Sequence, residues 1–188
     1  YPTPYGEKML LKLADGSSLV PLENLGVGEK TLKTLNRMLT KSEGLLLLVG
    51  PPGQGKTTTL HSIIRQFDHA GMNILTLESP VELLMPGVNQ LSFNPQTSYQ
   101  EWYSLFSYNA PDFVAIENTN NALMARLAFE LASSTSVLTS LTALDLTDGL
   151  CTFIALIRSA FQFAGRRDTS PAPLKDNTPL APLKGGMI

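Results

Sequence analysis

Hydrophobic positions along this chain follow two different periods. Between residues 28 and 44, the stretch GEKTLKTLNRMLTKSEG puts Leu32, Leu35, Met38 and Leu39 at helical spacing and closes on Gly44, predicting an amphipathic helix. A continuous apolar run, LLLLV, follows at 45–49, the pattern of a strand buried on both faces. Residues 72–79 (MNILTLES) and 112–117 (DFVAIE) predict two more strands, 87–94 (GVNQLSFN) an edge strand and 136–144 (SVLTSLTAL) another. Helical patterns occupy about 55–67, 99–108, 120–134 and 148–165. Upstream, YPTPYGEKMLLKLAD predicts a turn and a strand over 8–13, and GSSLVPLENLG a loop. Strands alternating with helices predict an α/β fold with a mostly parallel sheet and helices on both faces.

Composition narrows this reading. The 188 residues are enough for one well-packed domain, with 43% hydrophobic and 16% charged residues. Fourteen basic residues against sixteen acidic ones form no basic stripe, which gives nucleic-acid binding no support. Cys151, the single cysteine, excludes an internal disulfide, fits a reducing compartment and lies in an apolar helical pattern that predicts a core position. No signal peptide and no apolar run of bilayer length is visible. The first residue is Tyr1, not Met, as expected of a piece of a longer protein. Residues 166–188 are proline-rich and repeat APLK at 172–175 and 181–184, which predicts a flexible tail or a proline-rich docking segment.

The strongest chemical signal is Gly50-Pro51-Pro52-Gly53-Gln54-Gly55-Lys56-Thr57, which matches G-x-x-x-x-G-K-[ST] between a buried strand and a helix. Glycines allow backbone N–H groups to turn inward around phosphate oxygens, and the following helix aims its N-terminus at the anion. Lys56 is placed to reach the β- and γ-phosphates of ATP or ADP, Thr57 to ligate Mg²⁺, and Thr58 to add a hydroxyl near the α-phosphate.

The flanking stretches YGEKMLLKLAD, NILTLESPVELLMPGVNQLSFNP and PDFVAIEN surround that loop in an order that resembles the secretion-type ATPases of type II secretion and type IV pilus assembly and retraction. The likeness runs from about Tyr5 to Leu144. It implies a RecA-like phosphate-loop domain over 41–165, preceded by the end of an amino-terminal domain and a linker over 1–40. It also implies an oligomeric ring at the cytoplasmic face of the inner membrane, working with platform proteins.

The resemblance further implies four catalytic motifs. The acidic box E-D-P-[IV]-E reads Glu78-Ser79-Pro80-Val81-Glu82 here, so its aspartate is Ser79, while Glu78 and the water-activating Glu82 are kept. For Glu82, a solvated loop carboxylate is the competing reading. The two helix arginines correspond to Ser104 and Tyr108, neither of which carries permanent charge. The second acidic motif, apolar residues then G-E, reads FVAI-Glu117-Asn118. A one-residue shift would bring Glu117 to the Mg²⁺ shell, but strand alternation opposes it and favours loss. The two histidines of a further box correspond to Thr135 and Thr142, and His61 and His69 are expected to be exposed on the helix after the loop.

An intact loop beside altered catalytic positions predicts a nucleotide-binding pseudo-ATPase that regulates, or shares a mixed ring with, an active relative. The alternative is an active hexameric ATPase completed by neighbouring subunits. A small-molecule kinase would need lid arginines, and the scattered Arg37, Arg65, Arg126, Arg158, Arg166 and Arg167 do not form that pattern.

Overall fold

The computed structural model describes residues 2–4, 6, 7, 20–67 and 69–165. The strand expected over 8–13 and the tail expected over 166–188 lie outside these residues. A two-residue antiparallel pair, β1 (Pro2–Thr3) and β2 (Gly6–Glu7), precedes the main body. A 3-10 turn at Leu22–Leu25 leads to α1 (Glu29–Leu39). Then come β3 (Gly44–Gly50), α2 (Lys56–Ile64), β4 (Ile74–Glu78), β5 (Asn89–Ser92) and α3 (Tyr99–Asn109). The remainder is β6 (Phe113–Ile116), α4 (Ala122–Leu131), β7 (Ser136–Thr142) and α5 (Leu146–Gly165).

Strands β3 to β7 form one parallel sheet in the order β3-β7-β6-β4-β5. Side chains of successive strand residues leave on opposite faces, so each strand feeds two layers. On one face Leu60, Ile63 and Ile64 of α2 pack against Ile74, Phe113 and Leu138, with Leu22 and the α1 leucines closing over them. On the other face Trp102 and Phe106 of α3 and Met124 and Leu127 of α4 cover Leu75, Leu77, Val114 and Ile116. Phe153 of α5 reaches Leu141, with Leu45 and Leu47 beside it. The expected α/β architecture is therefore present, and β5 is an edge strand as its composition predicts.

Two expectations need correction. Strands β4, β6 and β7 are almost wholly buried, but β3 is half-buried because it forms the other margin of the sheet. Cys151 is exposed, not in the core. Its helix is apolar nearly all round, so hydrophobic content alone does not tell which side faces the sheet. The docked side carries Phe153, Leu156 and Ile157 together with Gly149, where an added Cβ would stand 2.4 Å from Val49 Cγ1 of β3.

Candidate functional site

The carboxyl ends of parallel strands are where open α/β sheets bind ligands, and the glycine-rich loop lies there. Strand β3 delivers Gly50, and α2 begins six residues later at Lys56. Gly53 and Gly55 have φ of 74° and 76° and an added Cβ would meet nothing within 4 Å. These glycines are thus demanded by backbone conformation, and the space above them stays open for an anion. Lys56 folds back over the loop, its Nζ donating to Gly50 O at 2.9 Å and Pro51 O at 2.8 Å. An ammonium has three donors, so one remains for a phosphate oxygen.

The next contact joins the loop to a distant strand. Thr57 Oγ1 donates to Glu117 Oε1 at 2.5 Å. The expected loss of this acid rested on alternation applied to an ungapped motif, which put position 118 in the acid's place. In the structure Glu117 N–H continues the parallel ladder by donating to Leu77 O at 2.8 Å, and the chain turns only at Asn118, which takes a left-handed φ of 61°. Asn118 N–H then donates to Ser140 Oγ at 3.0 Å and Thr119 N–H to Ser140 O at 2.8 Å. Counting by twos, Phe113, Ala115 and Glu117 share the face that α2 covers, so alternation itself aims Glu117 toward α2. Glu117, and not Asn118, faces the threonine.

Glu78 and Glu82 occupy different surroundings. Glu78 is 1% exposed at the end of β4 and accepts from Thr76 Oγ1 (2.6 Å), Gln90 Nε2 (2.9 Å) and His61 Nε2 (3.2 Å). Burial pushes its carboxyl up, but the bonds from His61, Thr76 and Gln90 outweigh this and hold it below the usual value. Glu82 is exposed on the segment 79–88 that leaves the same strand end.

His61 corrects another expectation, because it is 5% exposed. Helix α2 is covered by the sheet on one side and the 3-10 turn on another, so even its polar residues His61 and Ser62 are enclosed. His69 is half-buried beyond the helix end, with Nε2 2.9 Å from Ile64 O and Nδ1 3.0 Å from Pro86 O. Gln90, which belongs to the stretch most like the family but was assigned no role from it, bonds to Glu78, Leu83 and Met85.

The remaining motif positions are separated. Ser104 and Tyr108 are exposed on α3, Tyr108 at 89%. Thr142 pairs with Gly50 in the sheet register and so stands beside the loop, its N–H donating to Asn120 Oδ1 at 2.9 Å. Thr135 precedes the opposite end of β7, buried, and donates to Pro111 O at 2.9 Å. Among the described residues no cluster of three His, Cys, Asp or Glu side chains could hold a metal by itself. A cation at Thr57 and Glu117 would therefore need ligands from a nucleotide and water, as Mg²⁺ accepts readily.

The family described as Type II/IV secretion system protein matches residues 1–116. The chain belongs to that family. Type IV pilus assembly ATPase PilB of Thermus thermophilus is 32% identical over 134 residues, covering 70% of this chain and 15% of its own length. Type II secretion system protein E of Xanthomonas campestris pv. campestris is 33% identical over 134 residues, covering 70% of this chain and 24% of itself. This member of the family thus spans only a fraction of its curated relatives. The solved structure of the pilus retraction motor PilT with bound ADP shares the fold, with a TM-score of 0.57 at 23% identity over 69% of this chain and 38% of that one. Among the described residues no helix is long and apolar enough to cross a membrane.

Proposed function

We propose that this domain binds Mg²⁺ with ATP or ADP for a type II secretion or type IV pilus machine and, alone, turns ATP over poorly. The observation that carries this reading is the Thr57–Glu117 hydrogen bond beside a complete phosphate loop. The residues present fit the ligand: the backbone N–H groups of 53–57 and the third Lys56 donor suit phosphate oxygens. The Thr57 hydroxyl and Glu117 carboxylate suit a Mg²⁺ shell. Bound Mg²⁺ would supply neutralisation of charge on the β- and γ-phosphates.

Poor turnover follows from what stands elsewhere. Neutral Ser104, Tyr108 and Thr142 occupy positions that the family resemblance assigns to two arginines and a histidine. A lost transition-state donor typically costs about 10²–10³ in rate, and a lost arginine finger about 10³–10⁵. The relatives' names, a pilus assembly ATPase and a type II secretion protein, support a place beside inner-membrane platform proteins at the cytoplasmic face, within a ring of identical or related subunits. A regulatory role toward an active relative fits a subunit that holds nucleotide without consuming it.

A second reading has its own support. Glu82 is exposed at the strand end, so a neighbouring subunit that donated arginines would complete an active ATPase. Titrating Mg-ATP into the chain, with Lys56→Ala as control and phosphate release recorded on the same samples, separates the two. Binding that needs Lys56 but yields no phosphate supports the pseudo-ATPase. Turnover that rises with protein concentration and vanishes in Glu82→Gln supports the ring motor. Absence of binding refutes both.

A further inference from the structure

We propose that Gln90 and His61 are positioning residues: with Glu78 they strap the segment 79–88, which carries Glu82, to the helix that leaves the phosphate loop. This rests on the reading that the loop binds Mg-nucleotide and adds the means by which the acidic box is held to it.

One amide side chain ties the segment to itself. Gln90 Oε1 accepts from Met85 N–H at 2.7 Å, while its Nε2 donates to Leu83 O at 2.8 Å and to Glu78 Oε1 at 2.9 Å. The segment therefore closes into a loop around Gln90, anchored at the end of β4. Glu78 passes the connection onward, because its other oxygen, Oε2, meets His61 Nε2 at 3.2 Å. An ionised carboxylate only accepts, so Nε2 carries the proton. His61 is four residues after Thr57 on α2, one helical turn behind the hydroxyl that faces Glu117.

A second fastening lies at the far end of the same helix. His69 spans from Ile64 O to Pro86 O, and Gly87, with φ of 80°, lets the segment come so near that an added Cβ would sit 2.8 Å from His69 Cβ. The segment thus meets α2 through Gln90–Glu78–His61 and meets its carboxyl end through His69. Burial makes the first route stiff: Glu78 and His61 are 1% and 5% exposed, and an unpaired polar group there costs more than the bond itself contributes. A shift of α2 upon phosphate binding would carry the Glu82 segment with it.

Hydrogen–deuterium exchange on the whole chain, with and without Mg-ADP, tests this. Gln90→Leu removes all three amide bonds, His61→Leu cuts the junction to α2, and His61→Gln restores an N–H close to the Nε2 position. Without nucleotide, the Met85 amide is expected to exchange about fivefold faster in Gln90→Leu, the equivalent of one net hydrogen bond. With Mg-ADP, wild type and His61→Gln should gain protection across 81–88. His61→Leu should bind with a Kd within about threefold of wild type yet show no such gain.

Unchanged Met85 exchange in Gln90→Leu, or full nucleotide-induced protection in His61→Leu, overturns the proposal. If Gln90→Leu does not fold, the contrast between His61→Leu and His61→Gln decides. If wild type binds no Mg-ADP, the nucleotide reading of the loop fails separately. The strap is then judged on nucleotide-free exchange, where equal Met85 rates in wild type, Gln90→Leu and His61→Leu refute it.

Discussion

The hydroxyl of Thr57, in the first turn of α2, donates to the carboxylate of Glu117, just past the end of β6, at 2.5 Å. Sixty positions apart in sequence, these residues are the acid and the hydroxyl that the proposed function gives to a magnesium shell. Glu117→Gln should weaken the Mg²⁺-dependent part of nucleotide affinity by about tenfold or more, the usual scale for losing a group that orients a metal site. Asn118→Asp should leave it nearly unchanged, since that residue's backbone turns toward Ser140. ADP titrations with Mg²⁺ and with a chelator measure both. No loss in Glu117→Gln together with a gain in Asn118→Asp would move the acid's role to position 118.

Acid should act on this domain through Glu78. Its folded-state value lies below the ordinary 4.5, through the bonds from His61, Thr76 and Gln90 that outweigh burial. The stabilisation is complete above the unfolded value and is lost as the pH falls through the lower folded one. Urea midpoints followed from neutral pH into the acid range should fall more steeply for wild type than for Glu78→Gln, which has no carboxyl to protonate there. Parallel curves would remove Glu78 from the acid response.

Gly149→Ala should destabilise the domain although alanine is the better helix former. Intrinsic preference would favour the change by about 1 kcal/mol. Against it, the new Cβ would lie 2.4 Å from Val49 Cγ1 and 3.0 Å from Cγ2. Overpacking of this kind costs about 1–3 kcal/mol. Chemical denaturation of the single variants and of Gly149→Ala with Val49→Ala should show the double variant recovering most of the loss.

Arg126 joins three helices. Its guanidinium carbon lies 4.0 Å from the Tyr99 ring centre and 5.1 Å from that of Phe161, and its Nε donates to Glu130 Oε1 at 2.8 Å. Tyr99 also donates to Glu130, and burial together with that bond pushes its phenol well above the usual value. A planar fork between two rings is not replaced by an ammonium, so Arg126→Lys should cost about 1 kcal/mol with charge unchanged. Thermal melting of Arg126→Lys beside Arg126→Met checks whether shape or charge dominates.

The fold was largely legible because the apolar runs at 74–78, 113–116 and 136–142 are separated by helical patterns, and only a parallel sheet buries such strands on both faces. The turn between β3 and α2 was legible for a related reason, since its glycine spacing is enforced locally by the left-handed backbone at Gly53 and Gly55. What escaped depends on neighbours distant in sequence. His61 is polar but enclosed, because the sheet and residues 20–25 meet over α2. Cys151 lies on an apolar helix that docks through Gly149, Phe153, Leu156 and Ile157 and leaves it on the other side. The direction of Glu117 was missed because the ungapped motif put position 118 in the acid's place, although Phe113 and Ala115, two and four residues earlier, already face α2. Gln90 stood in the stretch most like the family, yet its role stayed hidden, because its worth lies in closing a loop whose path the sequence does not disclose.

Strand β3, which leads into the glycine-rich loop, forms one margin of the sheet and pairs along all seven of its residues with β7, while Gly149 of α5 presses against its Val49. Both supports come from beyond residue 116, where the family match stops. Every residue that pairs with β3 therefore lies outside the stretch that the family model matches. A cut after Ile116 would keep α2 packed on β4 and β6 yet remove the whole strand that hydrogen-bonds β3.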